Sequence, residues 1–176
     1  IGRPVMDLNL EDADSIKILE LSSYQIEIAE RIEADIAIFL NFSNDHLTRH
    51  GGLGGYFFSK ARLFLEGNSK INIIGIDQKE GKYLANFLEA RYDSNNVVIQ
   101  ISTLGPISGS KWSVFMSNNF LIEVKAGKEL FRSDLRKVLQ IPGHHNKQNA
   151  CASYAACRAL GVSSKKSFEK ISGFKG

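Results

Sequence analysis

Glu20, Asp45, His46 and Lys60 are the side chains of this 176-residue sequence whose types and spacing could do chemistry. Asp45 and His46 stand in Leu40-Asn41-Phe42-Ser43-Asn44-Asp45-His46-Leu47-Thr48-Arg49-His50, directly behind an apolar run from Asp35 to Leu40. Glu20 closes another apolar run, Ile16 to Leu21, that leads into Ser22-Ser23. With both runs read as buried strands, a carboxylate, an imidazole and hydroxyls gather at carboxyl ends, where open α/β sheets bind ligands. Carboxylate oxygens suit a hard cation such as Mg²⁺. An Asp beside a His suits metal ligation, or an acid that orients the imidazole. The set points to a metal and phosphate site. Plainer readings stand beside it: Glu20 facing solvent or capping the next helix, and His46 a loop histidine satisfied by backbone. His50 is four residues beyond His46, but Gly51-Gly52 breaks the helix that a shared metal would require.

Lys60 lies within Tyr56-Phe57-Phe58-Ser59-Lys60-Ala61-Arg62-Leu63, a mostly apolar helical pattern where a lysine ordinarily snorkels to solvent. A lysine kept neutral by burial and a neighbouring cation can instead add CO₂, forming an anionic carbamate able to ligate metal. Asn146 and Asn149, in Gly143-His144-His145-Asn146-Lys147-Gln148-Asn149, share one helix face and could offer amides to a nucleobase edge. Asn146 could equally cap that helix. The His144-His145 pair lacks the further Cys/His ligands of a zinc site. The glycines at 51, 52, 54 and 55 lack the G-x-x-x-x-G-K-[ST] spacing of a phosphate loop.

The elements that must position these residues alternate. Strands are expected at Ile16 to Leu21, Asp35 to Leu40, Ile71 to Ile76 and Val97 to Ile101. Helices are expected at Ser23 to Ile32, with Ser22 or Ser23 as N-cap, at Tyr56 to Leu65 and at Lys79 to Tyr92. This βαβα order with apolar strands implies an α/β fold with a mostly parallel sheet flanked by helices. Trp112 to Met116, Phe120 to Lys125 and Glu129 to Arg132, separated by Ser117-Asn118-Asn119 and Ala126-Gly127-Lys128, read as a small antiparallel subsheet. A helix from near Asn146 to Leu160 and a last one from Ser163 or Ser164 to Ile171 complete the order.

Bulk properties narrow the function classes. A formal charge of +3 with no Lys/Arg block argues against a dedicated nucleic-acid binder while allowing a nucleotide substrate. No apolar run approaches the roughly 20 residues of a membrane span. Cys151 and Cys157 read as buried free thiols in a reducing, cytoplasmic setting. Ile1-Gly2-Arg3-Pro4 lacks an initiator Met and Gly173-Phe174-Lys175-Gly176 stops in a turn-like stretch, so the sequence reads as a piece of a longer protein.

Taken in order, Glu20-Leu21-Ser22-Ser23-Tyr24-Gln25-Ile26-Glu27, Leu40-Asn41 with Asp45-His46-Leu47-Thr48-Arg49-His50, Tyr56 with Lys60-Ala61-Arg62, and Gly143-His144-His145-Asn146-Lys147-Gln148-Asn149 resemble the Mur ligases of peptidoglycan synthesis. The Glu-Leu-Ser-Ser-aromatic-Gln segment resembles the branch that adds D-glutamate. Ile1-Gly2-Arg3-Pro4-Val5 looks like the tail of the family's Asn-Ile-Gly-x-Pro segment, and Gly173-Phe174-Lys175-Gly176 like the start of its Phe-x-Gly-Leu-x-His-Arg motif.

The resemblance implies a central ATP-binding domain spanning 1–176, truncated at its amino-terminal side, with the UDP-binding domain, the phosphate loop and the carboxyl-terminal domain outside this chain. It implies ATP and Mg²⁺ as cofactors, with Glu20, His46 and a carbamylated Lys60 supporting the metal. It further implies that Gln25, Ser22 and Asp45 meet substrate and that Asn146 and Asn149 meet adenine. The substrates would be UDP-N-acetylmuramoyl-L-alanine and D-glutamate, joined through an acyl phosphate. The whole enzyme is expected to be monomeric, the piece alone inactive and prone to self-association. From other classes, Asp45-His46 with His144-His145 could form a metal-dependent hydrolase site, or the chain could be a non-catalytic nucleotide-binding module.

Overall fold

A computed structural model describes residues 4, 7, 12, 15–43, 48–91, 96–137 and 143–171. The elements run α1 (Ser23–Ile28), β1 (Ile36–Phe39), α2 (Leu53–Leu65), β2 (Ile71–Gly75), α3 (Lys79–Ala90), β3 (Val97–Ser102), β4 (Trp112–Ser117), β5 (Phe120–Lys125), β6 (Lys128–Asp134), α4 (His144–Ala159) and α5 (Ser164–Ile171). One six-stranded sheet has the order β1-β2-β3-β4-β5-β6. Strands β1 to β4 are mutually parallel, while β5 and β6 pair antiparallel. The expected antiparallel subsheet is therefore a continuation of the parallel sheet.

Strand alternation divides the core into two layers. Ile73, Ile99, Ile101, Val114 and Leu121 face α4 and α5, where Cys151, Tyr154, Ala155 and Phe168 close over them. Phe39, Ile74 and Val98 face the other way, against Ala61 and Phe64 of α2 and Leu84 and Leu88 of α3. Helices α2 and α3 each join neighbouring parallel strands, so the carboxyl ends of β1, β2 and β3 lie on one rim. Strand β4 also ends there, which places the Asn118-Asn119 turn on that rim and the Ala126-Gly127 turn at the opposite end.

Two expectations fail. Residues 16–21 are not a strand of the sheet. Ile16 and Leu19 are exposed and Ile18 is 90% exposed, whereas a parallel-sheet strand would be covered on both faces. An apolar run becomes a strand only beside a neighbour that takes its N–H and C=O groups, and no described strand pairs with this one. Helix α1 also stops at Ile28, short of the expected Ile32.

A buried polar node fastens α4 and α5 to the antiparallel strands. The Glu123 carboxylate on β5, 0% exposed, accepts from Trp112 Nε1 at 3.1 Å, Tyr154 Oη at 2.7 Å, Arg158 Nε at 2.9 Å and Ser164 Oγ at 3.3 Å. Burial pushes the Tyr154 hydroxyl above the ordinary phenol range, and the adjacent Glu123 adds to the shift. Arg158 also donates to Val162 O at 2.6 Å, which ties down the turn between the two helices. Burial opposes its charge, yet the bond to Glu123 holds its pKa above the usual guanidinium value.

Candidate functional site

Three segments carry the residues singled out by sequence: the 20–25 stretch entering α1, the loop after β1, and α2. Asp45 and His46 lie outside the described residues. Glu20 is an exposed carboxylate just ahead of α1. Ser22 is the N-cap of α1, as its position before Ser23 suggested: Gln25 N–H donates to Ser22 Oγ at 3.3 Å, and Ser22 N–H donates to Gln25 Oε1 at 2.8 Å. This reciprocal capping box fixes both side chains. It commits Gln25 Oε1 to Ser22, whose hydroxyl also donates to it at 3.0 Å.

Lys60 is half-buried on α2, its Nζ 5.2 Å from the centroid of the Tyr56 ring one turn earlier. Helix α2 begins after Gly51 and Gly52, whose φ angles of +67° and +114° let the chain turn sharply from the loop into the helix. Arg62 of α2 donates to Ile26 O at 3.1 Å and to Glu27 O at 2.7 Å, so α1 and α2 are joined directly. Between them, the His50 side chain is 1% exposed and reaches both helices, with Nε2 3.1 Å from Ser23 Oγ and Nδ1 3.0 Å from Ser59 Oγ. In the sequence reading His50 was rejected as a metal partner and otherwise appeared only as the end of the segment resembling the family. Its contacts depend on two serines far apart in sequence, a signal no spacing reveals.

The second half of the site is the carboxyl rim of the sheet, and α4 is docked there through Gln148. Gln148 Nε2 donates to Leu40 O at 2.8 Å, and Asn41 Nδ2 donates to Gln148 Oε1 at 3.1 Å. Gly75 at the end of β2 permits this approach: a Cβ there would lie 1.9 Å from Leu40 O and 3.0 Å from Gln148 Nε2. Gln148 heads the stripe Gln148, Cys151, Ala152, Ala155 on the buried face of α4. A lone amide at the top of an apolar helical stripe is the signal that could have identified it. Asn149 is exposed and Asn146 half-buried, so the first turns of α4 present this pair beside the end of β1. Lys147 Nζ also donates to Asn119 Oδ1 at 3.2 Å on the β4–β5 turn.

Further along the rim, Asp77 after β2 accepts from Ser102 Oγ at 2.6 Å, Thr103 Oγ1 at 2.6 Å and Thr103 N–H at 3.0 Å. Gln78 Oε1 accepts from Phe42 N–H, so the start of the loop after β1 is fixed to the neighbouring strand end. Neither residue was identified from sequence. The described rim is thus a polar belt of amides, hydroxyls and one carboxylate, with Glu20 and Lys60 on the adjoining segments. Hard oxygen donors and amide edges are the chemistry that a Mg²⁺–nucleotide needs.

His144 and His145 are exposed at the start of α4. Among the described residues, no group of three or more His, Cys, Asp or Glu side chains is arranged to hold a metal ion. No described helix is long and apolar enough to cross a membrane. A shallow groove of about 240 Å³ runs between α1 and α2, lined by Glu27, Ser59, Arg62 and Glu66 among others. It contains none of the sequence-predicted site residues.

Residues 1–157 match the model of the Mur ligase middle domain. The chain is 46% identical over 165 residues to the UDP-N-acetylmuramoylalanine--D-glutamate ligase of Ruegeria pomeroyi, covering 94% of this chain and 35% of that protein. It is 46% identical over 177 residues to the ligase of the same name from Roseobacter denitrificans, covering 100% of this chain and 38% of the relative. The chain thus spans little more than a third of the length of these relatives. A solved structure of a UDP-N-acetylmuramoyl-L-alanyl-D-glutamate--2,6-diaminopimelate ligase superposes with a TM-score of 0.60 at 21% identity, over 81% of this chain and 28% of that one. That likeness is one of fold.

Proposed function

Because the chain belongs to the Mur ligase family, we propose that it is part of an ATP-dependent amide ligase adding D-glutamate to UDP-N-acetylmuramoyl-L-alanine. The observation that carries this reading is the 46% identity to ligases named for that reaction, extending over essentially the whole chain. The rim geometry agrees with it, since Gln148 docks the Asn146–Asn149 turn against the end of β1.

In this reading Asn146 and Asn149 offer donors and acceptors to the adenine edge. Glu20, His46 and Lys60, the last as a carbamate, hold Mg²⁺, which when bound neutralises charge on the transferring phosphoryl group. Gln25 keeps Oε1 on Ser22 and turns its Nε2 donors to the muramoyl substrate, and Ser22 and Asp45 complete the substrate contacts. The γ-phosphoryl of ATP passes to the alanyl carboxylate, forming an acyl phosphate and releasing ADP. The amine of D-glutamate attacks that carbonyl, losing a proton, and phosphate leaves from the tetrahedral adduct. Such a reaction on a soluble nucleotide with ATP belongs in the cytoplasm.

This sequence contains no G-x-x-x-x-G-K-[ST] run, so ligation draws on phosphate-binding groups elsewhere in the whole protein, and the 176 residues alone do not ligate. The exposed Ile16, Ile18 and Leu19 give this piece an apolar surface through which it self-associates. The test is Lys60→Ala in the complete ligase, followed by addition of short carboxylic acids to replace the carbamate. Loss of D-glutamate ligation with partial return on adding the acid is expected. Full activity of Lys60→Ala would refute the carbamate role, and absence of ATP-dependent D-glutamate ligation by the unmodified enzyme would refute the reaction.

A further inference from the structure

We propose that His50 is a positioning residue that ties the end of the loop after β1 to α1 and α2, so that the stretch bearing Glu20 and Gln25 is held against the helix bearing Lys60. For what the site does, the inference rests on the ligase reading above; the clamp itself rests on contacts in the structure.

The imidazole is held from every side. It lies between the Tyr24 and Tyr56 rings, each 5.4 Å away by centroid and inclined by 28° and 31°. Ser59 Oγ donates its proton to Gly55 O at 2.9 Å. His50 Nδ1 lies 3.0 Å from the same hydroxyl and 3.6 Å from Glu27 Oε2. Nε2 lies 3.1 Å from the buried Ser23 hydroxyl. The neighbouring loop residue is engaged as well, with the Arg49 guanidinium 5.2 Å over the Tyr24 ring and its Nε 3.9 Å from Glu27 Oε2.

Chain distances turn this clamp into a device for the site. Ser23 is three residues after Glu20 and two before Gln25; Ser59 immediately precedes Lys60; His50 follows His46 by four. A buried ring bonded at both nitrogens and in contact with two aromatic rings loses those contacts in any other rotamer. The end of the loop is consequently tied to α1 and α2, on the stretch that follows Glu20 and on the residue that precedes Lys60. Residues that orient ligands without touching the reacting atoms ordinarily alter turnover when lost.

The experiment uses the complete ligase. His50→Phe keeps a stacked ring and removes both nitrogens, His50→Gln restores some bonding, and Ser59→Ala and Ser23→Ala each remove one partner. Three readouts are taken: the urea midpoint, the rate of tryptic cleavage after the exposed Arg49, and kcat and KM for each substrate. For His50→Phe, kcat is expected to fall roughly 10- to 100-fold with KM for ATP unchanged. Cleavage at Arg49 is expected to accelerate roughly tenfold as the loop is released. The urea midpoint is expected to fall modestly, because the buried Ser23 hydroxyl loses its partner, and His50→Gln should recover part of the losses in kcat and in resistance to cleavage. Loss of kcat without faster cleavage, or faster cleavage with wild-type kcat, overturns the proposal. If His50→Phe does not fold, the two serine variants decide, and wild-type kcat in both overturns it. Should the unmodified enzyme fail to ligate D-glutamate, the ligase reading falls, while cleavage at Arg49 still tests the clamp.

Discussion

Removing the Glu123 carboxylate should unseat α4, the helix that carries the rim amides, together with α5. Four donors converge on this fully buried group, from Trp112, Tyr154, Arg158 and Ser164. Glu123→Ala breaks a buried ion pair and strands the guanidinium, for which about 3–5 kcal/mol is the expected cost. For a domain of this size that corresponds to a melting temperature lower by roughly 6–20 °C. Glu123→Gln preserves shape and one acceptor but turns an NH₂ toward the donors, so about 2 kcal/mol is expected, the worth of one charged hydrogen bond. Arg158 keeps its bond to Val162 O in both variants, which makes the pair suitable for a double-mutant cycle. Urea denaturation of Glu123→Gln, Arg158→Leu and the double variant should give a coupling of at least about 1 kcal/mol. A cost below about 1 kcal/mol for Glu123→Ala, or additivity within about 0.5 kcal/mol, would refute the view that this node holds the helices.

Four further outcomes are expected. Gln148→Leu strands the Leu40 carbonyl and loosens α4 from β1, costing about 1–3 kcal/mol in urea denaturation; in the complete ligase it should raise KM for ATP more than it lowers kcat. Burial pushes the Cys151 thiol up to about 12, and the Asp77 charge adds to this. Iodoacetamide should therefore modify the half-buried Cys157 first. Because the folded values of Cys151 and Tyr154 are raised, their contribution is full below the unfolded values of about 8.5 and 10 and is lost as pH climbs past them; stability followed by urea midpoint should fall steadily through that alkaline range. Ala126 at φ +50° opens the β5–β6 turn in a region alanine avoids, so Ala126→Asn should stabilise by about 0.5–1 kcal/mol, read as a higher urea midpoint.

Most elements were legible because their patterns carry local physics. The runs at 71–76, 97–101 and 120–125 are apolar enough to lie in the sheet, and the Asn118-Asn119 turn signals its own hairpin, with φ of +48° and +67°. The 16–21 run misled because apolarity reports a need for burial and says nothing of which neighbour supplies the hydrogen bonds. Ser22 was legible as a cap, but its exchange of bonds with Gln25 was not anticipated when both were read as substrate contacts. The helix bearing Asn146 and Asn149 was legible from its apolar spacing. Gln148 between them, whose partners Leu40 and Asn41 lie over a hundred residues away, was not. Glu123 looks like any strand glutamate until Tyr154 and Arg158 arrive from another helix.

The reversal of strand direction after β4 also leaves a practical opening. The Ala126-Gly127 turn sits at the end of the sheet remote from the amides, and no side chain of the rim reaches it. The Asn118-Asn119 turn is different, since Asn119 accepts from Lys147 Nζ and from Leu135 N–H. A fluorophore or affinity tag spliced between 126 and 127 would therefore ride on the molecule as a silent handle, whereas the same graft at 118–119 would pull on the first turns of α4.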